Sequence, residues 1–262
     1  MMSKLYVIKI GGNIIDDEES LAAFLNKFAA VKEQKIMVHG GGKLATKLAE
    51  RLGIQQQMVD GRRITDVETL KIATMVYAGY INKQIVATLQ SHHCNAIGIS
   101  GADGNSILAH KRKVKEIDYG FAGDIDSVNS NLLAGLMQLN MTPVFCPITH
   151  DRNGQLLNTN ADTIAKEIAC SLTNDYEVTL IYTFEKSGVL REANDDNSVI
   201  ASIDSKSYKQ LKESGEISGG MIPKLDNAFS ALASKVSRVV IGNAMELEGM
   251  INGEKGTSII ND

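Results

Sequence analysis

Three times in this chain a short apolar run ends in a glycine-rich turn, and after the first two a helical pattern follows. Leu5 to Ile10 runs into Gly11-Gly12-Asn13, Ile36 to His39 into Gly40-Gly41-Gly42, and Ala96 to Ser100 into Gly101-Ala102-Asp103-Gly104. Short apolar runs without polar alternation suit strands covered on both faces, and parallel strands need a crossover helix between them. The first crossover shows helical spacing at Leu21, Phe24 and Phe28 behind acids in its first turn, where the helix dipole favours them. This repeated unit predicts an α/β fold, a three-layer αβα sandwich with a mainly parallel central sheet.

The rest of the chain extends the pattern. A helix is expected from about Lys43 to Leu52, and Asp60-Gly61 marks a hairpin between Met58 and Ile64. Thr65-Asp66-Val67-Glu68 reads as a capping box opening one long helix to about Gln90. Residues 107–128 read as a polar hairpin or two. Further helices are expected at Leu132 to Leu139, from Asn160 or Asp162 to Leu172, from Asp204 to Lys212 and from Met221 to Ser234. Strands are expected at Thr142 to Ile148, Thr179 to Thr183, Arg238 to Ile241 and Ser258 to Ile260. A turn-rich stretch from Pro147 to Asn158 suggests a subdivision of one domain, 1–262, into halves of about 1–150 and 151–262.

Composition narrows the class. The 262 residues carry a formal net charge of −4, which gives no general pull toward nucleic acid or an anionic membrane. No apolar run approaches the roughly 18 residues of a membrane span. The start, Met1 to Lys4, leads directly into a strand-like stretch without a signal-peptide pattern. Cys94, Cys146 and Cys170 are widely spaced and odd in number, so neither a disulfide framework nor a zinc site is expected, and a reducing cytoplasm is the simplest location.

Ligands of parallel sheets bind at the carboxyl ends of the strands. Glycine there lets backbone N–H groups approach an anion, and the following helix N-terminus adds positive potential. Three such ends favour a phosphate or carboxylate site. They match neither a dinucleotide fingerprint, since Gly11-Gly12-Asn13-Ile14-Ile15-Asp16 lacks the third glycine, nor a Walker A loop, since Leu44 follows Lys43. Lys9 lies inside an apolar strand near these turns, although lysines also mark edge strands. Lys224 sits in the first turn of a helix, where a cation opposes the dipole unless an anion is close. Asp162 opens a helix and could be a simple cap.

Taken together, Ile8-Lys9-Ile10-Gly11-Gly12, Val38-His39-Gly40-Gly41-Gly42, Asp60-Gly61-Arg62-Arg63-Ile64-Thr65, Gly101-Ala102-Asp103-Gly104, Asn158-Thr159-Asn160-Ala161-Asp162, Gly219-Gly220-Met221-Ile222-Pro223-Lys224 and Gly256-Thr257 resemble the amino-acid kinase family. The resemblance covers nearly the whole chain. It is strongest to the branch that phosphorylates the side-chain carboxylate of N-acetyl-L-glutamate, in arginine biosynthesis.

The resemblance implies transfer of the γ-phosphoryl of ATP to that carboxylate, giving an acyl phosphate. The amino-acid site would lie in the N-terminal half and the nucleotide site in the C-terminal half. Lys9 would bridge the transferring phosphoryl and the attacking oxygen, with Gly12 N–H assisting. Lys224 would stabilise the β-phosphate side, and Asp162 would hold both ammonium groups. Gly41 and Gly42 would border the substrate, Arg63 would pair with its α-carboxylate, and Asn158 would bond the acylated amino group. Gly11, Glu185, Lys186, Ser187, Gly188, Val189, Leu190, Glu216, Ile217 and Ser218 would flank the nucleotide. Mg²⁺ would travel on the ATP phosphates with no dedicated protein site. An ionised carboxylate needs no general base, so catalysis reduces to positioning and charge neutralisation.

One departure stands out. The family's T-D-V-x-G-like segment is here Thr183-Phe184-Glu185-Lys186-Ser187-Gly188, with Glu185 in place of Asp. The acyl group is an apolar matter of shape, and N-succinylglutamate remains an alternative to N-acetylglutamate. Other kinases of the fold and a non-catalytic nucleotide-binding regulator are the remaining rivals. A homodimer insensitive to arginine is expected. Arginine-inhibited members of the family resemble hexamers joined by a helix ahead of the first strand, where only Met1 to Lys4 stand here. Ile72, Met75, Val76 and Tyr80 would form the two-fold contact. Among the remaining residues, His39 is read as a hydrogen-bonded strand-end histidine, Arg62 and the run Lys111-Arg112-Lys113 as solvated, and the methionines as core filling.

Overall fold

The computed structural model describes residues 2–59, 62–114, 116–192, 195–217 and 220–261, with the side chain of Arg62 also left aside. In the first half, β1 (Ser3–Ile10), α1 (Gly12–Ile15), α2 (Glu18–Ala30), β2 (Gln34–His39) and α3 (Gly42–Arg51) lead to the short hairpin β3 (Met58–Val59) and β4 (Arg62–Arg63). Then come α4 (Val67–Ala73), a π-helical stretch Thr74–Ile81, α5 (Asn82–Ser91), β5 (Ala96–Ile99), β6 (Ile107–Lys111), β7 (Gly123–Val128), α6 (Ser130–Gln138) and β8 (Thr142–Phe145). The remainder comprises β9 (Ile148–His150), β10 (Leu156–Asn158), α7 (Ala161–Ser171), β11 (Tyr176–Phe184), β12 (Ser202–Ile203), α8 (Ser205–Ser214), α9 (Met221–Ala233), β13 (Arg238–Asn243), α10 (Leu247–Asn252) and β14 (Thr257–Ile259).

Eight strands form the central sheet in the order β12-β14-β13-β11-β1-β2-β8-β5. Every pairing is parallel except β13 with β14. Side chains alternate across it, as the pleat requires. Leu5 and Val7 join the cluster under α6 to α9, while Tyr6, Ile8 and Ile10 join the cluster under α1, α2, α3, α5 and α10. The expected three-layer sandwich is therefore present. The two halves meet at the β1–β11 pair in mid-sheet, so Lys9 stands on a central strand and the edge-strand reading of it is excluded.

A second, smaller sheet has the strand order β10-β9-β6-β7. The stretch Pro147 to Asn158 supplies β9 and β10 to it. Its Asn158 bridges to Ala122 just before β7, and Gly120 in turn bridges to Thr65 after β4.

Two sequence expectations for the long helix need correction. The cap is the side chain of Asp66, which accepts from Thr69 N–H, rather than Thr65. The helix is also not α-helical throughout, since eight residues in its middle, Thr74–Ile81, wind as a π-helix. β11 is longer than the strand expected from Thr179 to Thr183, because its apolar face continues through Val178 to Tyr176. Nor are the methionines uniformly core, since Met2, Met58 and Met75 are exposed.

Candidate active site

Lys9 is the last residue but one of β1, on the face shared with Leu5 and Val7. That face looks toward α7 and α9. Asn160 caps α7, its side chain accepting from Thr163 N–H at 3.0 Å. Asp162 is thereby released from capping and turns to the sheet, which excludes the simple-cap reading. Its Oδ1 lies 2.7 Å from Lys9 Nζ and its Oδ2 accepts from Lys224 Nζ at 2.6 Å. Lys9 belongs to the first half of the chain, Lys224 and Asp162 to the second. Lys224 lies in the first turn of α9, and the Asp162 carboxylate offsets the unfavourable dipole there.

Burial dominates the electrostatics. Desolvation pushes the Lys9 ammonium below its ordinary value; Asp162 works against this and Lys224 with it. Burial alone would raise the Asp162 carboxyl, yet the two lysines overcome it and hold that carboxyl well below the usual range. Tyr182, on β11, completes the arrangement. Its hydroxyl donates to the carbonyl of Asp162 at 3.1 Å, and its ring lies 5.9 Å from Lys224 Nζ.

Beside this triad a cavity of about 180 Å³ opens. Gly41, Gly42, Arg63 and Asn158 all line it, as do Asn160 and Ala161 at the start of the Asp162 helix. Arg63 is nearly buried and reaches it braced, donating to the carbonyl of Gly42 and to Thr46 Oγ1 at 2.8 Å each and to Gln56 Oε1. Asn158 Nδ2 donates to Thr65 Oγ1 at 3.0 Å. Gly41 has φ +144, and a Cβ there would lie 2.2 Å from Ile81 Cδ1, so this turn admits only glycine. A Cβ on Gly12 would meet nothing within 4 Å, which places that helix start against open space. Gly11 has a different role: a Cβ there would lie 2.9 Å from the carbonyl of Thr183, so it lets the ends of β1 and β11 close up.

The nucleotide-side residues divide. Glu185 and Lys186 lie past the end of β11; Asn243 Nδ2 donates to the Glu185 carbonyl, and Lys186 pairs with Asp196 at 3.1 Å. Ser187 and Leu190 are half-buried. Glu216 accepts from Ser214 Oγ and faces Arg191 at 3.7 Å. Val189 and Ile217 belong to the hydrophobic core. Val189 spends its N–H on Thr257 Oγ1 and its carbonyl on Ile200 N–H. Gly188 is packed so closely that a Cβ would lie 2.7 Å from Thr257 Oγ1. Ser218 lies outside the described residues.

Sequence reasoning missed two residues. Tyr182 carries no motif, and only its register opposite Lys9 across β1 and β11 reveals it. Arg112 is not a solvated member of a basic run; it lines the cavity and is held by Asp124 at 2.5 Å. It follows the last residue of β6, Lys111, and extended-chain alternation turns it to the opposite face.

These features define a transferase of phosphoryl groups to small carboxylate-like acceptors, and the comparisons agree. The model of the amino acid kinase family matches residues 4–243, and the chain belongs to that family. Within it, the chain groups with the acetylglutamate kinases. It is 55% identical to acetylglutamate kinase of Cytophaga hutchinsonii, covering 99% of each chain. It is 53% identical to that of Parabacteroides distasonis, covering 98% of this chain and all 100% of the other. The fold is shared with N-acetylglutamate synthase of Neisseria gonorrhoeae, with TM-score 0.83 and 20% identity over 99% of this chain and 60% of that one. It is shared also with carbamate kinase of Giardia lamblia, with TM-score 0.70 and 13% identity over 100% and 99%.

Proposed function

We propose that the protein transfers the γ-phosphoryl group of ATP to the side-chain carboxylate of N-acetyl-L-glutamate, the step named for its relatives and one that serves arginine biosynthesis. The observation that carries this reading is the Lys9–Asp162–Lys224 triad beside a cavity holding Arg63. In the reaction the bond from the γ-phosphorus to the bridging β-oxygen breaks, and a bond from phosphorus to the substrate carboxylate oxygen forms. No proton moves in that exchange. Lys9 neutralises charge on the transferring group with Gly12 N–H assisting, Lys224 does so on the departing β-phosphate side, and Asp162 keeps the two ammonium groups aimed. Arg63 and Asn158 hold the amino-acid end against Gly41 and Gly42.

The nucleotide reading comprises Gly11, Glu185, Lys186, Ser187, Gly188, Val189, Leu190, Glu216, Ile217 and Ser218, with the tight packing of Gly11 and Gly188 supporting a role in shaping the backbone. Mg²⁺ arrives as part of the ATP substrate, since both oxygens of Asp162 face lysines. ADP release by purified protein, coupled to a reporter enzyme, tests the reading, and no release above background with N-acylglutamate would refute it.

Arg112 favours a second reading of the acyl group. A guanidinium in the cavity wall, besides Arg63, suits an N-acyl chain that ends in its own carboxylate, such as succinyl. Turnover of N-acetyl- against N-succinylglutamate decides between the two.

The proposed assembly is a homodimer through the helix 67–91, whose Val67, Met75 and Tyr80 stand exposed at 52, 55 and 61%. Burying such side chains against a second copy is favourable. Ile72 and Val76, also expected at that contact, are instead buried within the chain. Light scattering on purified protein measures the mass. The reading includes a cytoplasmic location, which the free thiols of Cys94, Cys146 and Cys170 support. No helix among the described residues is long and apolar enough to cross a membrane.

A further inference from the structure

Next to the Gly40-Gly41-Gly42 turn lies a chain of polar groups, His39, Asn82 and Lys83, none of which lines the cavity and none of which the proposed reaction uses. His39, fully buried at the end of β2, brings Nδ1 within 2.8 Å of the carbonyl of Gly40 and Nε2 within 3.1 Å of Asn82 Nδ2. Asn82 is 1% exposed and opens α5 where the π-helical stretch ends. Its amide also meets the carbonyl of Val144 at 2.9 Å and Lys83 Nζ at 3.1 Å; Lys83 in turn donates to the carbonyl of Gly98 at 2.8 Å.

This chain has one consistent reading. An ammonium only donates, so Lys83 must face the Asn82 oxygen; a backbone carbonyl only accepts, so Val144 must face the Asn82 NH₂. The NH₂ then also faces His39 Nε2, which has to be the bare, accepting nitrogen. The imidazole proton is left on Nδ1, where it donates to the carbonyl of Gly40. Gly98 makes room for the arrangement, since a Cβ there would lie 2.0 Å from Asn82 Oδ1 and 2.9 Å from Lys83 Nζ.

We propose that Asn82 is a positioning residue for the phosphoryl transfer: it fixes His39 as the neutral Nδ1–H tautomer, which pulls the Gly40 carbonyl into the protein and leaves the Gly41 and Gly42 backbone facing the substrate. The inference rests on reading that turn as the substrate border. Two separate features of the turn agree with it. Gly41 holds φ +144, a conformation that only glycine adopts here, and Arg63 grips the carbonyl of Gly42, two residues beyond Gly40, at 2.8 Å. The turn is thus held at the carbonyls on either side of Gly41, that of Gly42 by the substrate clamp and that of Gly40 by the His39–Asn82 chain. Asn82 reaches it from the same helix whose Tyr77 and Ile81 pack on Gly41.

The test begins with the wild-type protein and no substrate. Nitrogen-15 NMR of histidine-labelled enzyme, with His39 assigned by His39→Gln, is expected to show a protonated Nδ1 and a bare Nε2 at pH 7. An Nε2–H tautomer or an imidazolium would overturn the proposal. Asn82→Asp keeps the shape and removes the donor. It is expected to abolish that His39 signature and to lower kcat on the order of a hundredfold, as small misplacements near a reacting group do, with KM for ATP unchanged. Gly98→Ala displaces Asn82 without altering it, and is expected to move the signature and kcat in the same direction should Asn82→Asp not fold. Unchanged kcat with an altered signature, or lowered kcat with the signature intact, would overturn it. Because the tautomer is read without substrate, failure of the inference is separable from failure of the functional reading, which would appear as a wild-type enzyme inert toward N-acylglutamates.

Discussion

Lys9 and Tyr182 stand opposite each other on the two central strands, at the same register position and on the same face of the sheet. One carries the charge that meets the Asp162 carboxylate; the other holds the Asp162 carbonyl. A single residue of α7 is thus gripped from both halves of the chain at once. The Asp162 carboxylate is thereby fixed at the seam of the sheet, where it faces both lysines.

Tyr182→Phe removes one hydrogen bond and keeps the ring. The expected outcome is a loss of about 1 kcal/mol in urea denaturation, with kcat reduced less than in any lysine variant. Tyr182→Ala also empties a fully buried site and is expected to cost about 3–5 kcal/mol.

Lys9→Ala and Lys224→Ala are each expected to lower kcat by about 10²–10³, with smaller changes in KM, because each charge acts on the transition state. Asp162→Asn leaves two buried ammonium groups without their carboxylate. It is expected to be inactive and destabilised by about 3–5 kcal/mol, as steady-state kinetics and denaturation would read. Near-normal kcat in either lysine variant removes that lysine from the mechanism.

Arg63→Lys replaces a braced fork by a point charge. KM for the N-acylglutamate is expected to rise by about tenfold or more while KM for ATP stays within about twofold. Equal rises in both would mean that Arg63 does not clamp the substrate carboxylate.

Acid should destabilise the fold in two stages. Burial holds the His39 imidazole down to about 4, helped by Lys83 and opposed by its bond to Gly40. The unfolded chain, with His39 at its ordinary value of about 6.5, binds that proton first, so stability is full above pH 6.5 and falls as pH drops toward 4, by about 3 kcal/mol. Asp162, held below the usual carboxylate range, contributes stability above about pH 4 that is lost only below it. Denaturation midpoints from pH 7 to pH 4 are expected to fall in the wild type and to lose the upper stage in His39→Gln.

Much of this architecture was legible in the chain. The apolar runs and the glycine turns that end them specified parallel strands with crossover helices, since periodicity and turn chemistry are local properties. Lys9 and Lys224 stand out because each is awkward for its local element, a charge in an apolar strand and a cation at a helix start, whereas Asp162 and Arg63 are singled out by the family resemblance. Such local conflict is where a sequence announces a function. What only the tertiary structure decided is which side chains meet. That Asn160 caps α7 and frees Asp162, that Tyr182 lies level with Lys9, that Arg112 turns into the cavity, and that Asn82 reaches across 43 residues to His39 all depend on register and helix rotation. These are set by packing across the whole core, which no stretch of neighbouring residues encodes by itself.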